Sequence, residues 1–318
     1  MSLAKERTLN QHSFMSYFKR NYDMYFLLIP GLLYALIFKI LPLCGIYIAF
    51  IDYNMFAGGG PLAAIFKSEF VGLENFERVF RKAAFKQALG NSFTISFMKI
   101  VCVFPLPIFF ALVIHSVHNR YFKKTVQTII YLPHFFSWVV VAGIFTQILS
   151  STGIVNTALK NIGLTKEPII FLSNQSLFRW VLVFTDAWKE VGWGTIVYLA
   201  ALSGVDQEMY EAAVIDGARK YQQLIYITLP SITSTIVLML VMRVGSIMDA
   251  GFGQILVMYN PTVYKVADII QTYVYRIGLG QMDFPLGTAV GLFNSLVAIC
   301  LTLSTNYISK RINGRSVW

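Results

Sequence analysis

Five polar residues recur along one otherwise apolar stretch. Arg179, Asp186, Lys189, Glu190 and Trp193 fall at helical intervals, so on a helix they share one face. The opposite face, with Val181, Leu182, Phe184 and Val191, suits lipid or packing. A charge near the centre of a bilayer costs at least ~2.5 kcal/mol, so such groups turn toward a bundle interior or a wet cavity. Two roles fit the stripe. It lines a path for a polar solute, or Lys189 pairs with Asp186 or Glu190 and holds helices together. The spacing permits both.

A second apolar stretch carries Arg243 and Asp249. They stand about 240° apart on a helix and do not reach each other, so their partners come from other helices or from a solute. Gly251 and Gly253 follow at once. Paired glycines weaken a helix, and interrupted membrane helices border binding sites or simply admit a neighbour. Trp138, Trp188 and Trp193 can stack on sugar faces or sit in an interfacial belt. The candidate solute path is therefore Asp186, Trp188, Lys189, Glu190, Trp193, Arg243 and Asp249.

Other chemistries are missing. There is no G-x-x-x-x-G-K-[S/T] loop to cradle phosphates and no H-E-x-x-H pair for zinc. His12, His115, His118 and His134 are scattered, and no Ser/His/Asp set can be assembled. Cys44, Cys102 and Cys300 lie singly in apolar runs and read as small hydrophobes. The chain is expected to be neither an enzyme nor a metal protein.

The elements that must position these residues are membrane spans. Of 318 residues 56% are hydrophobic and only 13% charged, against about 25% in a soluble domain. A net charge of +10 would raise nucleic acid in a soluble protein; here basic loops that orient spans explain it better. No cleavable signal peptide is expected. Crossing requires roughly 20 apolar residues, and six segments come close: about 25–50, 89–114, 126–149, 177–201, 231–257 and 284–308. The fourth is the weakest, because of Asp186, Lys189 and Glu190, and a re-entrant segment is its alternative. Residues 1–24 read as a cytoplasmic segment with an interfacial helix, and 309–318 as a cytoplasmic tail. Twelve Lys and Arg lie inside and nine outside when both termini are cytoplasmic. Gly287 and Gly291 have the small-xxx-small spacing of close helix packing.

Between the fourth and fifth spans lies a polar island, 206–230. Glu211-Ala212-Ala213, three residues, Gly217, nine residues, Ile227, one residue and Leu229-Pro230 resemble, without departure, the cytoplasmic signature of permease subunits of binding-protein-dependent ABC importers. Val71-Gly72-Leu73-Glu74-Asn75-Phe76 is similar to a loop preceding the second span in the carbohydrate branch. Tyr131 to Trp138 and Trp188 to Trp193 resemble members that take up oligo- and polysaccharides, among them alginate importers.

The resemblance implies an all-α membrane protein with the architecture of a type I ABC importer permease, multi-pass in a bacterial inner membrane. It implies a second, different permease subunit, two ATP-binding subunits that carry ATP and magnesium, an extracytoplasmic sugar-binding protein and a sugar substrate. No cofactor is expected in this chain. Glu211, Ala212, Ala213, Asp216, Gly217, Leu229 and Pro230 would dock on the ATPase. The alanines allow close approach, Gly217 takes a turn at low cost, Glu211 and Asp216 can meet basic groups, and Pro230 starts the next span where a missing N–H does no harm. A second reading is an ion-coupled transporter acting alone, with Asp186, Glu190 and Asp249 as its relay.

Overall fold

The computed structural model describes residues 21–56 and 59–313, and the expected interfacial helix in 1–24 lies almost wholly outside them. Helices dominate, and the described residues form only an isolated bridge, Ile51 to Phe70.

The first crossing, α1 (Tyr22–Phe50), is continuous although Pro30 and Pro42 lie in it. A wide turn at Leu36–Ile40 and tight turns beyond it re-satisfy the backbone that the prolines free. Its end is held by α2 (Glu74–Arg81). The buried Asn75 amide donates to the carbonyls of Ala49 and Ile51, both at 3.1 Å. Phe76 tilts against Phe50 at 5.4 Å. Gly72, at φ +58, makes the turn before it.

α3 (Ala83–Cys102) and α4 (Pro105–Ser116) together make the second crossing. Pro105 and Pro107 lack the N–H that would carry α3 on unbroken. The third segment departs from a straight span. α5 (Arg120–Tyr131) and α6 (Trp138–Ile148) meet at 102°. Pro133 opens a tight turn, Phe136 is extended, and the Ser137 hydroxyl accepts the Val140 N–H at 3.3 Å to start α6.

α7 (Gln175–Ser203) is one unbroken 29-residue helix, so the re-entrant alternative falls. It is long enough to cross, but its charges keep it out of the four helices that are also apolar enough. Two glycines let its neighbours close in. A Cβ on Gly192 would overlap the Ile130 carbonyl of α5, and one on Gly194 would press the Pro107 ring at 3.0 Å.

α8 (Gln207–Ile215) leads by a tight turn into α9 (Lys220–Gly245). The fifth crossing, expected over 231–257, starts earlier and stops at Gly245, because 246–251 is a run of turns before the short helix α10 (Phe252–Met258). Ala250 and Gly251 both take positive φ, +49 and +87. Pro230 stands in the first turn of the α-helical run Leu229–Gly245, as expected, but α9 as a whole begins before it. It lies inside α9, directly after a wide turn at Leu224–Thr228 in which the Leu229 N–H reaches back to Leu224. That extra residue per turn removes the clash a proline makes in a regular helix.

The last crossing, α11 (Phe284–Asn313), runs past the expected boundary at 308. Of its two glycines only Gly287 packs closely, a Cβ added there falling 3.0 Å from the Gly278 Cα; Gly291 has nothing near its Cβ position.

Of the apolar cores among the described residues, the two largest tie the bundle together. Ile95, Phe145, Phe178, Leu182 and Ile255 join α3, α6, α7 and α10. Phe85, Met248, Tyr273, Leu286 and Val290 join α3 to α11. By contrast Phe26, Leu27, Leu32 and Phe38 of α1 are exposed, a band that only lipid or another chain could cover.

Candidate functional site

α7 presents Asp186, Glu190 and Trp193 along one face, at intervals of four and three residues. With Trp138, Arg243 and Asp249 they line a cleft of about 610 Å³. Phe104, Pro107, Tyr198, Met239 and Met242 supply its apolar walls. The cleft thus offers what a sugar path needs: aromatic faces, a guanidinium and carboxylates.

Asp186 is the centre of a buried network. Its Oδ1 accepts from Lys99 Nζ at 3.0 Å and its Oδ2 from Arg243 at 3.3 Å. Lys99 also donates to Gln254 Oε1 at 2.5 Å and to the Ala250 carbonyl at 3.2 Å. Gln254 in turn donates to the Leu182 carbonyl at 2.8 Å and to the Thr185 hydroxyl at 2.6 Å. A lysine from α3 therefore crosslinks α7 and the strained turn before α10, and every donor it has is used. Three ammonium hydrogens meeting three oxygens is what burial of a cation demands.

Of the two partners expected for Lys189, Glu190 is the one it takes. Lys189 joins Glu190 at 2.9 Å, while Asp186 goes to Lys99 and Arg243. Lys189 turns from the cleft to the bend between α5 and α6, where it donates to the His134 carbonyl at 2.7 Å and lies 5.3 Å from the Trp138 ring centre. Glu190 also meets His134 Nδ1 at 2.8 Å, and that imidazole stacks on Trp193 at 4.4 Å. Trp193 keeps 45% of its surface exposed at the cleft. Trp188 lies apart, edge-on to Phe145 at 5.4 Å and beside a separate apolar cavity. Arg179 leaves the stripe too: it holds Asn91 at 2.8 Å and the Val266 carbonyl at 3.0 Å. Asp249 accepts the Phe252 N–H at 3.3 Å, at the start of α10.

Gln254 and His134 escaped sequence reasoning. A single amide directly before Ile255-Leu256-Val257 was a usable signal, since a lone polar group in a membrane run must find a partner. His134 gave none, because its partner lies 56 residues away.

The polar island folds as an exposed helical hairpin. Asp206 caps α8 by accepting the Glu208 N–H at 3.0 Å. At the other end the Ala218 N–H donates to the Ala213 carbonyl at 2.8 Å and the Gly217 N–H to Val214 at 3.0 Å. Gly217 sits at φ +78. This is the Schellman arrangement, in which glycine takes the left-handed position and the last carbonyls are satisfied. Gln222 then accepts the Arg219 N–H at 2.7 Å to start α9. Tyr210 OH and Thr228 Oγ1, 3.0 Å apart, tie the two helices together. Glu211, Ala212, Asp216 and Gly217 are exposed, as are Val214 at 62% and Ile215 at 86%. Leu229 and Pro230 lie in the body of α9, beyond the hairpin tip. The tip is small, apolar and acidic, with a fixed shape.

The family described as binding-protein-dependent transport system inner membrane component matches residues 103–314. Protein LplB of Bacillus subtilis (strain 168) is 44% identical over 302 residues, 95% of this chain and 92% of its own length. The polygalacturonan/rhamnogalacturonan transport system permease protein YteP of the same organism is 39% identical over 296 residues, 93% of this chain and 90% of its own. A solved bacterial ABC transporter involved in the import of the acidic polysaccharide alginate is similar at TM-score 0.86 and 39% identity, covering 94% of this chain and 99% of that one. The bacterial alginate ABC transporter in complex with an alginate pentasaccharide-bound periplasmic protein aligns at TM-score 0.86 and 38% identity, over 96% and 99%.

Proposed function

The chain belongs to the binding-protein-dependent transport system inner membrane components, and on that premise we propose that it is one of two different permease subunits of an ATP-driven importer of acidic oligo- or polysaccharides. The observation that carries the coupling half of this reading is the α8–α9 hairpin. Its Schellman turn presents Glu211, Ala212, Ala213 and Asp216 on a rigid exposed tip, the shape a groove on an ATP-binding subunit would grip. ATP and magnesium would be bound there, not by this chain. An extracytoplasmic binding protein would deliver the sugar, and both termini and the hairpin would face the cytoplasm.

The cargo half rests on the cleft. Trp193 and Trp138 would stack on sugar faces, Arg243 would meet carboxylates, and Glu190 and Asp249 would accept from hydroxyls. The relatives that carry polygalacturonan and alginate support an anionic cargo. Lys189 would shape the cleft through Glu190 and His134 without touching the sugar. The ion-coupled alternative gives way to the family membership, and its relay residue Asp186 is already neutralised by two cations.

Uptake by the complex reconstituted with its binding protein tests the reading. Uronate oligomers should accumulate with ATP and not with an ion gradient alone, faster than neutral oligomers of equal length. Accumulation without ATP, or equal rates for the neutral oligomers, would count against it.

A further inference from the structure

Resting on the anionic-cargo reading, we propose that Lys99, which does not line the cleft, sets its preference for acidic sugars by keeping Arg243 electrostatically available. The charges in and behind the cleft can be counted. Asp186 divides its two oxygens between two cations. Lys99 takes one at 3.0 Å and is 2% exposed; Arg243 takes the other at 3.3 Å and is 39% exposed. Lys99 faces the small cavity of about 80 Å³ behind the cleft, which Asp186, Arg243 and Asp249 share. With Asp249, which lines the same cavity, two cations meet two carboxylates, and removing Lys99 would leave the group net negative. Lys99 is fixed by Gln254 and the Ala250 carbonyl and cannot leave. The cation able to meet a solute is therefore Arg243, which opens onto the cleft.

Among the described residues no charged group other than Asp186 forms an ion pair with Arg243. Lys189 and Glu190 satisfy each other at 2.9 Å. Asp249 is engaged with the start of α10, and among the described residues no ion pair joins it to Arg243. A bidentate guanidinium–carboxylate contact with an incoming uronate is thus open to Arg243. Without Lys99, Asp186 would have one cation left. Arg243 would be drawn fully onto it, because a buried carboxylate cannot stay unpaired. The cleft would then meet a sugar carboxylate with a closed Arg243–Asp186 pair and the carboxylate of Asp249 in place of an open guanidinium.

The consequence runs through sign, which a merely structural role would not reproduce. Lys99→Met should weaken acidic-sugar binding, and adding Asp186→Asn to it should restore it, because Arg243 is freed again. The test is a titration of the full chain in lipid nanodiscs, read by the fluorescence of the cleft tryptophans. The two probes are a trigalacturonate and its carboxyl-reduced neutral counterpart. Wild type should prefer the trigalacturonate. The ratio of affinities should fall about tenfold in Lys99→Met, the worth of one charge-assisted hydrogen bond. It should return to the wild-type value in Lys99→Met/Asp186→Asn and stay at or above it in Asp186→Asn alone. If Lys99→Met does not insert, the other two variants decide: a ratio well below wild type in either overturns the proposal. An unchanged ratio in Lys99→Met, with wild type preferring the uronate, overturns the role of Lys99 and leaves the cargo reading standing. No preference in wild type overturns both.

Discussion

Gly192 shows how much a single missing side chain positions. It lies one turn from Trp188 and next to Trp193, tryptophans that from sequence either stack on sugar faces or sit in an interfacial belt. In the folded chain it serves helix packing. An added Cβ would overlap the Ile130 backbone carbonyl, so α7 and α5 touch backbone to backbone. Backbone cannot retreat as a side-chain tip can. Gly192→Val should therefore cost about 1–3 kcal/mol or more by overpacking. Gly291→Ala, with open space around it, should be neutral or stabilise by up to about 1 kcal/mol, since alanine favours a helix. Thermal melting of both variants in detergent checks the contrast, and equal melting temperatures would contradict it. Side-chain direction is what sequence periodicity cannot supply at this scale. It grouped Arg179, Asp186 and Lys189 on one face, where each in fact finds a partner on a different element. Lys99 and Asp186 stand 87 residues apart, and no spacing rule joins them.

At the scale of elements, the hairpin was the most legible piece. Asp216-Gly217 marked the turn, and the Schellman bonds from Gly217 and Ala218 are what that pair of residues favours. The clamp between Tyr210 and Thr228 was not legible, because it depends on how α8 folds back on α9. Tyr210→Phe removes a hydrogen bond worth about 1 kcal/mol. The hairpin should then open more readily, seen as faster amide exchange in 207–219 with the spans unchanged; unaltered exchange would show that the clamp does not hold the hairpin. Boundaries were least legible where backbone irregularity absorbs a proline or glycine. The wide turn at Leu224–Thr228 carries α9 past Pro230. The turns at 246–251, with Ala250 and Gly251 at positive φ, follow the end of the fifth crossing at Gly245, and Ser246, Asp249 and Gly251 among them line the cleft. A hydropathy window responds to composition and is blind to both events. The bend before Trp138 is the same kind of case, and it is what brings His134 and Trp138 to α7.

The whole molecule reads as half of a pathway. Its polar cleft opens on one side, the exposed apolar band of α1 calls for a covering surface, and the hairpin projects a tip that the described residues leave exposed. Composition alone carried the membrane class, and the signature carried the family. The cleft's charge balance needed the assembled helices. These features converge on the hairpin as the proposed link between an ATP-binding subunit and the cleft. Gly217 holds φ +78, where a side chain is strained, and Asp216 is already acidic. The most direct test is ATP hydrolysis and sugar uptake measured together in the reconstituted complex, with wild-type chain and with Gly217→Asp. Gly217→Asp should insert and still bind its cargo, while uptake falls by at least tenfold and hydrolysis no longer responds to the loaded binding protein. Wild-type uptake and stimulation in that variant would contradict the hairpin's role as the coupling element.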